Sequence, residues 1–280
     1  MREIQLDQLT NYSKWPKRLI GLESSPKIIK SESEVIREFE IETWGSIRNS
    51  SKGKLMDIDS VEDRYFSLDY EMPFFYKGKF YITTNKNILN KHIGFYHDTL
   101  SKYIDNSTAL VEFGAGFGSK IIRLAKHDIF RNIPKYAGEL TESGQELISA
   151  ISKEMSINIE VGKIDLRRQE ISGLSLPKRA LIFTSYASHY DPCMNVDFVK
   201  FLKSFEPSAV VNFEPCCELY SEKTIHGLMC KKYISTNDYT SNIWSTIRNH
   251  CEDSGLNLNC QSNILGYNPF MPISSVEWGW

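Results

Sequence analysis

Three glycines at alternate positions, Gly114, Gly116 and Gly118, follow the acidic Glu112 at the end of the apolar run Ala109-Leu110-Val111. Glycines spaced in this way let a ligand lie against bare backbone, because a Cβ there would block it. After the last glycine, Ile121, Ile122, Leu124 and Ala125 have helical spacing, so the stretch reads as buried strand, tight turn and helix N-terminus. Glu112 stands too early to cap that helix and is expected to point into the crevice. About twenty residues on, Glu139 ends a second apolar run, at the separation where a carboxylate reaches the ribose hydroxyls of a nucleoside held at such a turn. Asp165 follows a third run. The fourth run leads into Ser185-Tyr186-Ala187-Ser188-His189-Tyr190-Asp191, and the fifth ends in Asn212-Phe213-Glu214.

The arrangement of Glu112 and the three glycines resembles motif I of the class I S-adenosylmethionine-dependent methyltransferases. The competing dinucleotide fingerprint, G-x-G-x-x-G, wants glycine where Ser119 stands, whereas Gly118 falls where the methyltransferase motif has its last glycine. The resemblance implies that Gly114, Ala115, Gly116 and Gly118 cradle S-adenosylmethionine. It implies that Glu139 holds the ribose, with Leu140 and Thr141 beside it, and that Asp165 meets the adenine amino group, with Leu166 flanking the ring. Glu112 then lies near the methionine moiety, and Ser185 completes the cofactor site.

In that family the fourth strand ends beside the methyl group. A sulfonium methyl is already electrophilic, so the protein must align a nucleophile and, for an alcohol or ammonium, remove its proton. His189 is expected as general base because its ordinary pKa lies near neutrality. A histidine at a helix start also serves as a capping or packing residue, and both readings stand. Tyr186 is expected to orient the substrate, and Glu214 to bind a substrate amine or hydroxyl or to act as base. Asp191, Glu214 and Glu218 do not match the acidic spacing of catechol-type methyltransferases, so no metal is expected. Asn268-Pro269-Phe270 resembles the N-P-P-[YF] motif of amide and adenine N-methyltransferases. That motif follows the fourth strand, however, and here the tripeptide is set aside. The polar-aromatic string Ser235-Thr236-Asn237-Asp238-Tyr239 is expected to interrupt a helix near the substrate.

To position these residues the chain must alternate strand and helix, and from Leu110 onward it does. Apolar runs over 109–113, 135–140, 157–161, 179–185 and 209–214 are separated by helical segments, the rhythm of a mostly parallel, doubly wound α/β sheet. A long helical segment over 221–251 and two consecutive strands over 256–265 and 273–278 close the chain. The resemblance makes this a seven-stranded Rossmann-like sheet with an antiparallel last strand, a methyltransferase domain over 87–280. A dehydrogenase would continue strand, helix, strand. Before it, residues 1–86 read as a helical and aromatic extension: a helix capped by Ser31 or Ser33 with a stripe of Val35, Ile36, Phe39 and Trp44, then a hairpin over 74–82. Small-molecule methyltransferases build substrate pockets from such segments, so a lid is expected. A helix over 87–104 leads into the glycine-bearing strand.

Composition narrows the function classes. With 280 residues, 41% hydrophobic and 24% charged, the chain can bury a core of ordinary size. A net charge of -2 without like-charge runs leaves no nucleic-acid footprint, and Lys14, Lys17 and Arg18 read as a solvated face. The six cysteines, including Cys193, show no C-x-x-C spacing, no window has the apolar length of a membrane span, and the first residues carry no signal-peptide core. Joined to the methyl transfer that the resemblance implies, these features lead to the expectation of a cytoplasmic enzyme acting on an oxygen or nitrogen of a small molecule, sugar or short peptide, with no nucleic acid or membrane as partner; a homodimer is compatible. The rivals are an NAD(P)-dependent oxidoreductase and a non-catalytic S-adenosylmethionine-binding partner protein.

Overall fold

The computed structural model describes every residue except Lys27, Leu55, Cys193 and Trp280, so the expectations for Cys193 and for the last residue of the 87–280 domain lie outside the described residues. Its strands are β1 (Arg2–Ile4), β2 (Glu71–Tyr76), β3 (Lys79–Thr84), β4 (Leu110–Phe113), β5 (Lys135–Glu139), β6 (Glu160–Asp165), β7 (Glu170–Ser172), β8 (Leu181–Ser185), β9 (Ala209–Glu214), β10 (Asn257–Gly266) and β11 (Ile273–Gly279). They form one sheet in the order β1-β3-β2-β10-β11-β9-β8-β4-β5-β6-β7. The pairs β4–β5, β4–β8, β5–β6 and β8–β9 are parallel, and β11 inserts antiparallel between β9 and β10.

The expected seven-stranded sheet is therefore corrected to eleven strands. The central seven, β6-β5-β4-β8-β9-β11-β10, keep the expected antiparallel last strand. The added strands sit at the edges, where unpaired N–H and C=O groups need partners. The aromatic β2–β3 hairpin pairs β10 through Leu265 opposite Tyr76 and Gly266 opposite Phe75, and β1 extends it. At the other edge β7 folds back on β6.

The helices are α1 (Trp15–Leu19), α2 (Glu32–Ile36), α3 (Trp44–Ser50), α4 (Ile58–Phe66), α5 (Asn85–Leu100), α6 (Ser119–Ala125), α7 (Asp128–Arg131), α8 (Glu142–Glu154), α9 (Val196–Ser204), α10 (Ile225–Thr236) and α11 (Ile243–Ser254). The pleat of the strands sends alternate side chains to opposite faces. Leu110, Leu181, Phe183 and Val211 face α5, α6 and α8, where Ile88, Ile122 and Ile148 are buried. Val111, Ile182 and Val210 face α9 and α11, where Phe198, Leu202 and Ile247 are buried. Each such side chain contributes roughly 1.5–3 kcal/mol on burial, which makes the sheet a stiff platform for what lies at its strand ends.

Three boundaries shift for local reasons. Ser31 caps α2, but beyond it Arg37–Thr43 form a π-helical turn before α3. The strand expected over 157–161 starts only at Glu160, because Ser156 adopts φ 54° and the Ile157 N–H returns to Ser152 O, closing α8. The segment 221–251 breaks between α10 and α11, with Asp238 at φ 55°. Among the described residues, no helix is long and apolar enough to cross a membrane.

Candidate active site

The glycine turn is built on β5. Gly114 and Ala115 donate their N–H groups to Gly138 O at 2.8 and 3.1 Å, and Gly114 and Gly116 take φ of 74° and 59°, which a side chain would strain. A Cβ on Gly114 would stand 2.3 Å from the Ala187 Cβ, and one on Gly116 would stand 2.8 Å from Trp44. The turn is thus squeezed between the end of β8 and a tryptophan from the N-terminal extension.

Glu139, at the end of β5, is buried and accepts hydrogen bonds from Gly116 N (2.8 Å), Thr141 N (3.1 Å) and Thr141 Oγ1 (2.7 Å). Burial pushes its carboxyl pKa up, and the Thr141 and Gly116 donors oppose that shift only in part. Thr141 in turn caps α8 by accepting Gly144 N. Asp165, at the end of β6, accepts from Arg167 N and Arg168 N, both at 3.0 Å. At the end of β8, Ser185 Oγ donates to Tyr96 Oη at 2.9 Å.

These strand ends open into one cleft of about 570 Å³, a size common for small-molecule pockets. Residues 114–117, 139–141, 164–167 and 185–188 line it, which brings together Gly114, Ala115, Gly116, Glu139, Leu140, Thr141, Asp165, Leu166, Ser185 and Tyr186. Four expected site residues do not line it. Gly118 lies behind, where a Cβ would press on Ile148 and Ile122 at 3.1–3.2 Å. Glu112 lies beneath α6: its Oε2 accepts Ile121 N at 3.1 Å, and its Oε1 is 3.5 Å from Lys120 Nζ. The end of β4 runs under the first turn of that helix, so Glu112 caps it from below, against expectation. Burial, only partly offset by Lys120 and the Ile121 N–H, pushes its carboxyl up to about 7.

His189 and Glu214 are the other two. His189, 1% exposed, hydrogen-bonds Glu214 Oε2 through Nδ1 at 3.2 Å and packs among Tyr186, Tyr190 and Tyr239. Glu214 also accepts Ala187 N (3.0 Å) and Ser188 N (3.1 Å). Burial alone would raise Glu214, yet the His189 hydrogen bond and charge, with those two N–H groups, hold it below its ordinary value. Together the pair pins the loop after β8, including Tyr186 at φ 52°, a conformation costing about 1–3 kcal/mol in a non-glycine residue. The imidazole sits behind the cleft wall.

Much of the wall comes from the N-terminal extension, part of it from the expected stripe Val35, Phe39 and Trp44 and part from residues the sequence does not single out. Glu32, Val35, Phe39 and Trp44 arrive from the extension, as do Tyr65 and Phe66 of α4. Trp44 packs edge-on to Phe117 with centroids 5.3 Å apart, and Phe39 packs edge-on to Tyr190 at 5.1 Å. This strap is fastened at both ends: Arg167 Nη2 donates to Lys30 O at 2.7 Å, and Glu40 accepts Ser143 N at 3.2–3.3 Å. Opposite, Tyr267, Asn268 and Met271 come from the β10–β11 connection, with Tyr267 stacked on Phe66 at 5.6 Å. Asn268, set aside on its position between the last strands, thus reaches the cleft. The aromatic richness of the extension was the available signal. The string 235–239 ends α10 but lies outside the cleft, Tyr239 packing behind it on His189. Among the described residues no three of His, Cys, Asp or Glu gather as a metal site.

No protein-family model and no curated protein matches the chain. Among solved structures it is similar to magnesium protoporphyrin IX methyltransferase of Synechocystis PCC 6803 with bound SAH. The identity is 14%, with 89% of this chain and 99% of that chain covered at a TM-score of 0.53. Geranyl diphosphate C-methyltransferase of Streptomyces coelicolor A3(2) is 9% identical over 68% of this chain and 80% of that one, at a TM-score of 0.48, too distant to weigh. With its glycine turn, its central strand order and the overlap with the first of these along nearly the whole chain, this protein has the fold of the class I S-adenosylmethionine-dependent methyltransferases.

Proposed function

We propose that the cleft binds S-adenosylmethionine and that the chain transfers its methyl group to a small-molecule acceptor. One observation carries the reading: four separate strand ends bring a glycine turn, a buried carboxylate, a second carboxylate and a hydroxyl to one cleft. The residues fit such a cofactor. Gly114, Ala115 and Gly116 line the cleft, and at the two glycines Ala187 and Trp44 leave no room for a Cβ. Glu139, held by three donors, keeps one free acceptor site on Oε2 for a ribose hydroxyl, with Leu140 and Thr141 beside it. Asp165 and Leu166 suit an adenine edge and face. When bound, the sulfonium supplies an electrophilic methyl group.

The chain's own residues do the rest. Trp44 closes over the glycine turn and Phe39 over Tyr190, so the 1–86 extension supplies through this strap the lid of a domain spanning 87–280, while its hairpin continues the sheet. Tyr186 orients the acceptor from the loop after β8. His189 and Glu214 hold that loop in place. The wall of Tyr65, Phe66, Met72, Leu89 and Tyr267 favours an apolar or aromatic acceptor over a sugar or a peptide.

The test is transfer of label from methyl-labelled S-adenosylmethionine to a fractionated small-molecule extract, read by mass spectrometry. Label in a discrete small-molecule product is expected. Tight SAH binding with no label transferred to any fraction would favour the non-catalytic reading instead.

A further inference from the structure

On the wall opposite the strap, one side chain is fixed by the protein and left with an unused lone pair. In the sheet, β3 stands on the far side of β4 from β5 and β6. The antiparallel pairs β9–β11, β11–β10, β10–β2 and β2–β3 reverse direction four times, so β3 runs the same way as β9, and β9 is parallel to β8 and β4. Its carboxyl end therefore comes to the same edge of the sheet as the glycine turn. Asn85, the first residue after β3, lines the cleft and is 6% exposed.

Two carbonyl groups decide which way its carboxamide faces. α4 stops at Ser67, which takes φ 52°, so the carbonyls there have no following helical turn to bond. Asn85 Nδ2 donates to two of them, Phe66 O and Ser67 O, the latter at 3.3 Å. Turned over, the carboxamide would set its oxygen against two carbonyl oxygens, so nitrogen and oxygen are not interchangeable here. Oδ1 is left facing away from α4, and among the described residues no N–H or O–H reaches it. Nor is it sealed in. His92 Nε2 and Tyr186 Oη are enclosed without partners, whereas Asn85 Oδ1 opens on the cleft. Asn268, the other asparagine lining the cleft, spends its oxygen on Phe270 N at 2.9 Å. Beside Asn85 the wall is apolar, with Phe66 and, one turn along α5, Leu89. A lone pair held in such surroundings is satisfied only by a ligand that brings an N–H or O–H, or by water.

Resting on the methyl-transfer reading, we infer that Asn85 Oδ1 determines acceptor specificity: the acceptor is a largely apolar molecule that carries a hydroxyl or an amine N–H and donates it to this oxygen. A carboxamide takes no proton at neutral pH, so the contact aligns the acceptor and does not activate it. A molecule of the same shape without the donor strips water from Oδ1 and returns nothing, which is how a buried polar group rejects an analogue.

The test uses the full chain saturated with SAH and three fluorescent probes of one shape: naphthol, naphthylamine and methylnaphthalene, substituted at the same ring position. At least one of the two donors is expected to bind about ten-fold or more tighter than methylnaphthalene, against the order of their apolarity. Which donor it is tells hydroxyl from amine. Asn85→Leu, close in size but without a lone pair, should erase that preference while SAH affinity stays within about two-fold. Asn85→Lys should do the same, since its ammonium has donors for Phe66 O and Ser67 O but no lone pair; it decides the matter where the leucine variant does not fold. Equal or tighter binding of methylnaphthalene, no binding of either donor while SAH binds, or a preference that survives both substitutions overturns the inference and leaves the cofactor reading standing. Failure of SAH itself to bind overturns both.

Discussion

The cleft has two halves built by opposite rules. On the side of β4, β5 and β6, polar groups sit at strand ends and are fixed by backbone donors: Glu139 by Gly116 and Thr141, Asp165 by Arg167 and Arg168. Each partner is within two dozen residues in sequence, and the sheet beneath does not yield. On the other side, side chains from distant segments meet ring to ring, as Phe66 does Tyr267 and Trp44 does Phe117. The contrast teaches a division of labour. A half fixed by backbone suits a ligand whose shape never changes, and a half fixed by side-chain packing is free to be specialised for one acceptor.

Breaking the fixed half should cost most. Glu139→Ala leaves the buried N–H groups of Gly116 and Thr141 without an acceptor and removes the carboxylate proposed to meet the ribose. SAH affinity should fall at least about 100-fold, roughly 3 kcal/mol, in a calorimetric titration. Gly114→Val should do as much, since its side chain would collide with Ala187. The strap joins the halves, so its loss should be intermediate. Trp44→Ala removes a 7% exposed indole, a truncation that costs about 3–5 kcal/mol in a folded core. SAH affinity is expected to drop about ten-fold, mainly through faster release in stopped-flow measurements. In the packed half, Tyr267→Leu should leave SAH affinity within about two-fold and raise the acceptor KM, so that equal damage to both would erase the distinction.

The last expected effect is on stability. His92 has a folded pKa of about 3 against 6.5 for the free imidazole, so it is neutral when folded. Below pH 6.5 the unfolded chain binds a proton that the folded chain refuses. The contribution is therefore present above that pH and lost as pH falls toward 3. Tm should decline on acidification from pH 7 to 5 more steeply in the native protein than in His92→Phe, which keeps a ring against Tyr267. Parallel slopes would contradict the assignment.

The fixed half was legible because its signals are local. A run of apolar residues, a glycine turn and a terminal carboxylate follow one another in the chain, and two consecutive closing strands announce the inserted β11. Short edge strands were not: β1 and β7 have three residues each, too few for a period to show. Position along the chain also misled. His189 follows β8, yet nothing in sequence says that a one-turn 3-10 helix over Ser188–Tyr190 puts its ring behind the wall, or that Glu112 meets α6 from below. Asn268 stands over 80 residues beyond β8 and still lines the same cleft. Contacts such as Trp44 over Gly116 depend on how the extension packs, which no spacing rule encodes.

The central claim is that these strand ends hold the adenosine of a sulfonium cofactor. Calorimetric titration of the full chain with SAH and, separately, with NAD tests it most directly. One SAH per chain, no heat from NAD, and loss of the SAH signal in Glu139→Ala are the predicted results. Binding of NAD without SAH, or SAH binding that survives Glu139→Ala unchanged, would contradict it.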